Sequence, residues 1–150
     1  MEVFRLSSKK YSHQLIASGR AARWNRTNQM VIYTDSSRAL STLEMVVHKN
    51  IHSNMAYEMM VIEIKNKKNT IQKISLTELP KDWRELSGYS KLQEIGSDWY
   101  LTNQSLILEV PSVIIPQETN YIINTNHPDF TSKMIKVKAR EKYFWDERLV

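Results

Sequence analysis

Short runs of β-branched and aromatic residues recur along this chain, and most follow one another with no amphipathic helix between them. That order constrains the fold more than any other feature. Parallel neighbours in a sheet need long crossovers, usually helices, whereas antiparallel neighbours can follow directly. Residues 30–34, 57–65, 70–76, 106–110 and 121–124 read as strands, with Pro111 ending the fourth. Ile135, Val137 and Ala139 alternate with Lys136, Lys138 and Arg140, the clearest period of two in the chain.

Helices are fewer. Asp35, Ser36 and Ser37 offer N-cap side chains for a helix over residues 37–48, with an apolar stripe of Ala39, Leu40, Leu43, Val46 and Val47. Residues 79–83 read as a turn entering a short helix, and residues 90–95 as a helix closing at Gly96. The expectation is an α+β fold: one domain over residues 1–150, with a mostly antiparallel sheet flanked by helices.

Composition narrows the function. The 150 residues are 41% hydrophobic and 25% charged, as in a globular domain with a core of its own. No apolar run reaches the length of a membrane span, and the first residues lack a signal peptide's apolar segment. The expected location is cytoplasmic, away from membranes. Cysteine is absent, which excludes disulfides, thiolate zinc sites and cysteine nucleophiles. The net charge of +5 suits phosphate-bearing ligands or an acidic partner, and residues 1–26 carry six basic side chains against Glu2 alone. Basic and aromatic residues do not interleave as in an RNA-binding motif, so direct nucleic-acid binding is not expected.

With three glycines, the chain has neither a Walker loop nor a Rossmann fingerprint. His48 and His52 stand four apart without the glutamate of a zincin motif, so no metal site is expected. No Gly-x-Ser-x-Gly elbow occurs. What remains is a cation, a phenol and a carboxylate: Arg23, Tyr33 and Glu44. The strand of residues 30–34 runs straight into the helix that carries Glu44. At about 100° per residue, Glu44 lies at the margin of the apolar stripe. One cleft can hold both Tyr33 and Glu44. Ser112 follows Pro111 at a strand end, and Asn120 and Asn124, four apart on an extended segment, share a face.

These residues resemble the RES domain family, the toxin half of bacterial toxin–antitoxin pairs, named for an arginine, a glutamate and a serine. The matching positions are Arg23 in Arg-Trp-Asn, Glu44 in Ala-Leu-Ser-Thr-Leu-Glu and Ser112 in Val-Pro-Ser, with Tyr33 between the first two. Val3-Phe4-Arg5-Leu6, Leu79-Pro80-Lys81-Asp82-Trp83, Ile95-Gly96-Ser97-Asp98-Trp99, Asn120-Tyr121-Ile122-Ile123-Asn124, His127-Pro128-Asp129-Phe130 and the ending Phe144-Trp145-Asp146-Glu147-Arg148-Leu149 extend the likeness over the chain. Ala21-Ala22 stands where the family often has two glycines, Arg26-Thr27-Asn28 where a proline and glycine often follow, and Asn124-Thr125 where it has Asn-Pro.

The resemblance implies a fold similar to ADP-ribosyltransferases and an enzyme that consumes NAD+ as substrate, with no separate cofactor. It implies Arg23, Tyr33, Glu44 and Ser112 as catalytic residues, and Arg5, Trp24, Asn120 and Asn124 as substrate-binding residues. Arg23 would bind the pyrophosphate, Tyr33 would stack on nicotinamide or ribose, Glu44 would stabilise an oxocarbenium-like state, and Ser112 would hold the nicotinamide amide or ribose. The implied partner is an Xre-like helix-turn-helix antitoxin, with a homodimer of the toxin within the complex. Three readings stay open: hydrolysis or phosphorolysis of NAD+, transfer of ADP-ribose to a protein, and a basic module that binds nucleic acid or a partner.

Overall fold

A computed structural model describes residues 1–48 and 54–149. His52 lies outside the described residues. Among the described residues seven strands form one sheet: β1 (Glu2–Ser8), β2 (Val31–Asp35), β3 (Tyr57–Ile64), β4 (Ile71–Lys73), β5 (Ile107–Pro111), β6 (Thr119–Asn124) and β7 (Ile135–Tyr143). Their order across the sheet is β4-β5-β6-β2-β1-β3-β7. Every pairing is antiparallel except β4 with β5. The expected α+β class therefore holds. Among the described residues two α-helices accompany the sheet, α1 (Arg38–Val47) and α2 (Tyr89–Thr102).

Alternation along the central strands feeds two cores. Ile32, Ile107 and Ile123 join Val3, Ile62 and Met134 in one cluster. Their neighbours Val31, Leu108 and Ile122 turn the other way and pack with Trp24, Trp83, Leu92 and Trp99. The second group is where α2 buries its apolar side.

β1 is a full strand paired with β3 over seven residues, which the sequence pattern alone does not mark. Two expectations need correction. The strand expected over residues 70–76 contracts to Ile71–Lys73, because Leu76–Glu78 turns into a 3-10 helix. The helix expected to close at Gly96 continues to Thr102 and ends at Asn103, whose φ of 54° supplies the left-handed cap. Gly96 is glycine for another reason. A Cβ there would sit 1.8 Å from the carbonyl oxygen of Trp24, so α2 and the Arg23-Trp24-Asn25 segment touch backbone to backbone.

The seam between β2 and β1 positions the site. These two strands share a single registered pair, Phe4 with Asp35, and then part. Where a further ladder bond would lie, the Arg5 guanidinium donates Nη1 to the Tyr33 carbonyl at 3.2 Å. A sheet split at its centre leaves strand ends and side chains facing a gap that a ligand can enter.

Candidate active site

The split opens into a cleft of about 350 Å³. Its wall carries Arg5, Arg20 and Arg23 together with Tyr33, Asp35, Glu44, His48 and Asn120.

Arg23 sits on a tight turn closed by paired bonds between Ala22 and Asn25, at 3.1 and 3.3 Å. Gln93 of α2 steadies that turn by donating Nε2 to the carbonyls of Ala22 (3.0 Å) and Asn25 (3.2 Å). The guanidinium reaches the Trp83 carbonyl at 3.4 Å and lies 5.2 Å from the centre of the Tyr89 ring. Trp24 is 3% exposed and packs in the core, and it also borders the cleft.

Tyr33 ties this turn to the sheet. Its hydroxyl accepts from the Trp24 amide at 3.0 Å and donates to Asn25 Oδ1 at 2.7 Å. Burial raises its pKa well above the usual phenol value, so the hydroxyl stays protonated and keeps both roles.

Glu44 enters from α1. Ser37 caps that helix, accepting from the Leu40 amide at 3.0 Å. The buried seam of α1 differs from the expected apolar stripe: Leu40 and Ser41 are buried, while Ala39 and Val47 are exposed. Ser41 can be buried because its Oγ accepts from the Leu6 amide at 2.8 Å. This rotation turns Glu44 toward the cleft, with its side chain 23% exposed. Oε1 of Glu44 receives two neutral donors, Asn120 Nδ2 at 3.2 Å and Ser112 Oγ at 3.4 Å. Oε2 lies 3.5 Å from His48 Nε2. That hydrogen bond to Glu44 raises the His48 pKa, against a smaller opposing effect of burial.

Ser112 itself is fully buried and does not line the cleft. Its Oγ also accepts from the amides of Ile114 (3.1 Å) and Ile115 (3.2 Å). It therefore supports Glu44 from behind, whereas the family resemblance implied contact with the nicotinamide amide or ribose. Asn124 departs further. It shares a strand face with Asn120, but four residues of strand span roughly 13 Å. It is buried at the other end of β6, donating to Asn103 Oδ1 at 2.9 Å, and takes no part in the cleft.

Asp35 is the residue that sequence reading missed. Its place before Ser36 and Ser37 reads as a helix cap, yet it lines the cleft, 7% exposed, accepting from Asn120 Nδ2 at 2.7 Å. Burial raises its pKa to about 7, and the Glu44 charge adds to the rise, while hydrogen bonds from Ser41 and Asn120 and the Arg5 charge oppose it. A signal was present: Asp35 stands two residues after Tyr33 on the same strand, hence on the same face.

The assembled cleft has cations on the β1 side and the Arg23 turn, two carboxylates on a shared amide, and a phenol that fixes the turn. It defines a small α+β domain with a cation–carboxylate cleft in a split sheet. The sequence model of the RES domain family matches residues 2–146. The chain belongs to the RES domain family and stands among its toxins. It is 30% identical to "Toxin Res" of Photorhabdus laumondii, covering 100% of this chain and 97% of that protein. It is 35% identical to the "Prs ADP-ribosylating toxin" of a Sphingobium strain, covering 85% of this chain and 80% of the relative. Its fold matches a chain of the M. tuberculosis MbcT–MbcA toxin–antitoxin complex, with a TM-score of 0.74 at 13% identity, over 95% of this chain and 83% of the other.

Proposed function

We propose that this chain is a toxin that depletes NAD+ by breaking the nicotinamide–ribose bond, and that an antitoxin restrains it by covering the cleft. The observation that carries the reading is the Glu44 carboxylate. It is half-buried, held by Ser112 and Asn120, and faces a cleft whose other wall bears Arg5, Arg20 and Arg23. Cleavage of this bond passes through an oxocarbenium-like state. A fixed carboxylate stabilises the developing cation and reorganises little as it forms. Nicotinamide already leaves from a cationic nitrogen, so departure needs no strong acid. The arginines suit the pyrophosphate, which they bind through planar forks of donors. With water as acceptor, the ribose C–N bond breaks, a C–O bond forms, and ADP-ribose, nicotinamide and one proton result. With phosphate as acceptor, the product is the ADP-ribose phosphate ester.

Tyr33 fits this scheme through its hydroxyl, which keeps the Arg23 turn in register, as well as through its ring in the cleft. Ser112 and Asn120 act on Glu44. The antitoxin reading draws on the fold likeness to the toxin of a toxin–antitoxin complex. An Xre-type helix-turn-helix protein and a dimer of the toxin within the complex belong to the same proposal.

A second reading keeps the cleft and changes the acceptor to a protein side chain. It is favoured by the name of the Sphingobium relative, an ADP-ribosylating toxin. NAD+ labelled in its adenosine half separates the two. Free ADP-ribose or its phosphate identifies degradation, and label on a protein band identifies transfer. Glu44→Gln should slow NAD+ loss by at least a hundredfold with the fold intact, on the order of 3 kcal/mol of barrier. A folded Glu44→Gln protein that consumes NAD+ at the wild-type rate would refute the assignment.

A further inference from the structure

A second cleft of about 660 Å³ adjoins the first and shares Arg5, Leu6, Ser18, Arg20 and Met45 with it. It runs along the end of β1 under the segment that follows. Tyr11, Ile16 and Met55 line it, and all three are exposed, at 62%, 63% and 39%. Large apolar side chains left open around one concavity mark a surface that meets a ligand. Gln14 and the Ser7 and Ser8 side chains add hydrogen-bonding groups to the same wall.

The join between the clefts carries charge. Arg5 is partly enclosed, and its hydrogen bond goes to the neutral Tyr33 carbonyl. Among the described residues no carboxylate makes an ion pair with Arg5 or Arg20. Removal from water lowers the Arg5 pKa, the Asp35 charge opposes that in part, and a bound anion would offset the remaining cost. The layout is therefore a carboxylate at one end, cations in the middle and an apolar lobe with polar edges at the other. That is the order of groups in a dinucleotide: reacting ribose, pyrophosphate, purine.

Resting on the NAD+ reading above, we propose that the second cleft is the adenosine subsite, in which Tyr11 and Ile16 flank the purine while Arg5 and Arg20 hold the pyrophosphate at the join. Aromatic faces stack on any base, because every base has a π-face. The purine would then contribute binding energy remote from the bond that breaks.

The test compares NAD+ with nicotinamide mononucleotide, which has the same reacting bond and no adenosine. It uses wild type, Tyr11→Ala and Ile16→Asp, together with calorimetric titration by ADP-ribose. Both variants change exposed side chains outside the first cleft, and thermal melting checks their folding. Each should raise the KM for NAD+ by about tenfold and weaken ADP-ribose binding alike, with kcat/KM for the mononucleotide within about twofold of wild type. Equal losses on both substrates, or ADP-ribose binding at wild-type strength, overturn the subsite. A wild-type protein that turns over neither substrate yet binds ADP-ribose through Tyr11 overturns the cleavage reading and leaves the subsite standing. One that neither turns over NAD+ nor binds ADP-ribose overturns both.

Discussion

Asn120 donates the same amide nitrogen to Asp35 Oδ1 at 2.7 Å and to Glu44 Oε1 at 3.2 Å. Two carboxylates from different elements, β2 and α1, are thus held on one neutral group of β6. The site depends on that group more than its neutral chemistry suggests.

Asn120→Ala should leave both carboxylates short of a donor and free Glu44 to swing toward His48. We expect kcat for NAD+ loss to fall by roughly tenfold to a hundredfold, with a much smaller change in KM. Asn120→Asp should do worse, because it adds a third like charge. Initial rates measured by NAD+ consumption give the comparison. A variant with wild-type kcat would remove the shared amide from the account.

The raised pKa of Asp35, about 7, has a thermodynamic sign. The folded protein holds this proton where the unfolded chain has already lost it. The stability associated with neutral Asp35 is fully present below about pH 4 and is lost as pH rises through about 7. His48 is also raised, and its contribution is lost as pH rises through its own folded value. Urea denaturation of the wild type should therefore show stability declining between pH 5 and 8. Asp35→Asn should flatten most of that decline, by roughly 1–3 kcal/mol, and leave the smaller part due to His48. Identical slopes for the two proteins would assign the decline elsewhere.

Gly96→Ala tests the backbone contact between α2 and the Arg23 turn. The added methyl would meet the Trp24 carbonyl at 1.8 Å, and that oxygen belongs to backbone pinned by Gln93 and Tyr33. Alanine favours a helix interior by up to about 1 kcal/mol. The clash outweighs that, and a net loss of about 2–4 kcal/mol is expected in denaturant midpoints, with activity reduced at temperatures where the protein stays folded. An unchanged or raised midpoint would contradict the contact.

Tyr33→Phe removes one hydroxyl and keeps the ring. The Trp24 amide and Asn25 Oδ1 both lose a partner. A stability loss of about 1–3 kcal/mol is expected, with a raised KM for NAD+ because Arg23 is no longer held in register. If kcat falls with KM and stability untouched, the hydroxyl works on the substrate and not on the turn.

The strand that leads into α1 was legible because its signals are local: a β-branched run, then Ser37 as a cap, then Leu40 packed inward. The antiparallel class was legible for a similar reason, the lack of helices between strands. The rest depends on contacts distant in sequence. Gly96 reads as a helix stop in isolation, and only the approach of Trp24 reveals a packing glycine. Asp35 reads as a cap until Asn120, 85 residues away, is seen to donate to it. Asn120 and Asn124 share a face as alternation requires, but alternation says nothing of which strand end meets the cleft. Ser112 was identified as a site residue, yet its burial behind Glu44 depends on where β5 ends relative to α1.

The strand order has a temporal meaning. Arg5, Tyr33 and Glu44 lie within the first third of the chain, while Ser112 and Asn120 arrive with β5 and β6, which sit on the far side of β2 from β1. A ribosome adds about 5–20 residues each second, so the early strands emerge seconds before the residues that hold Glu44. During those seconds the nascent chain carries its carboxylate without its donors. The cleft gains its full set of donors only after β6 has emerged, so the order of strands along the chain also sets the order in which the site can assemble.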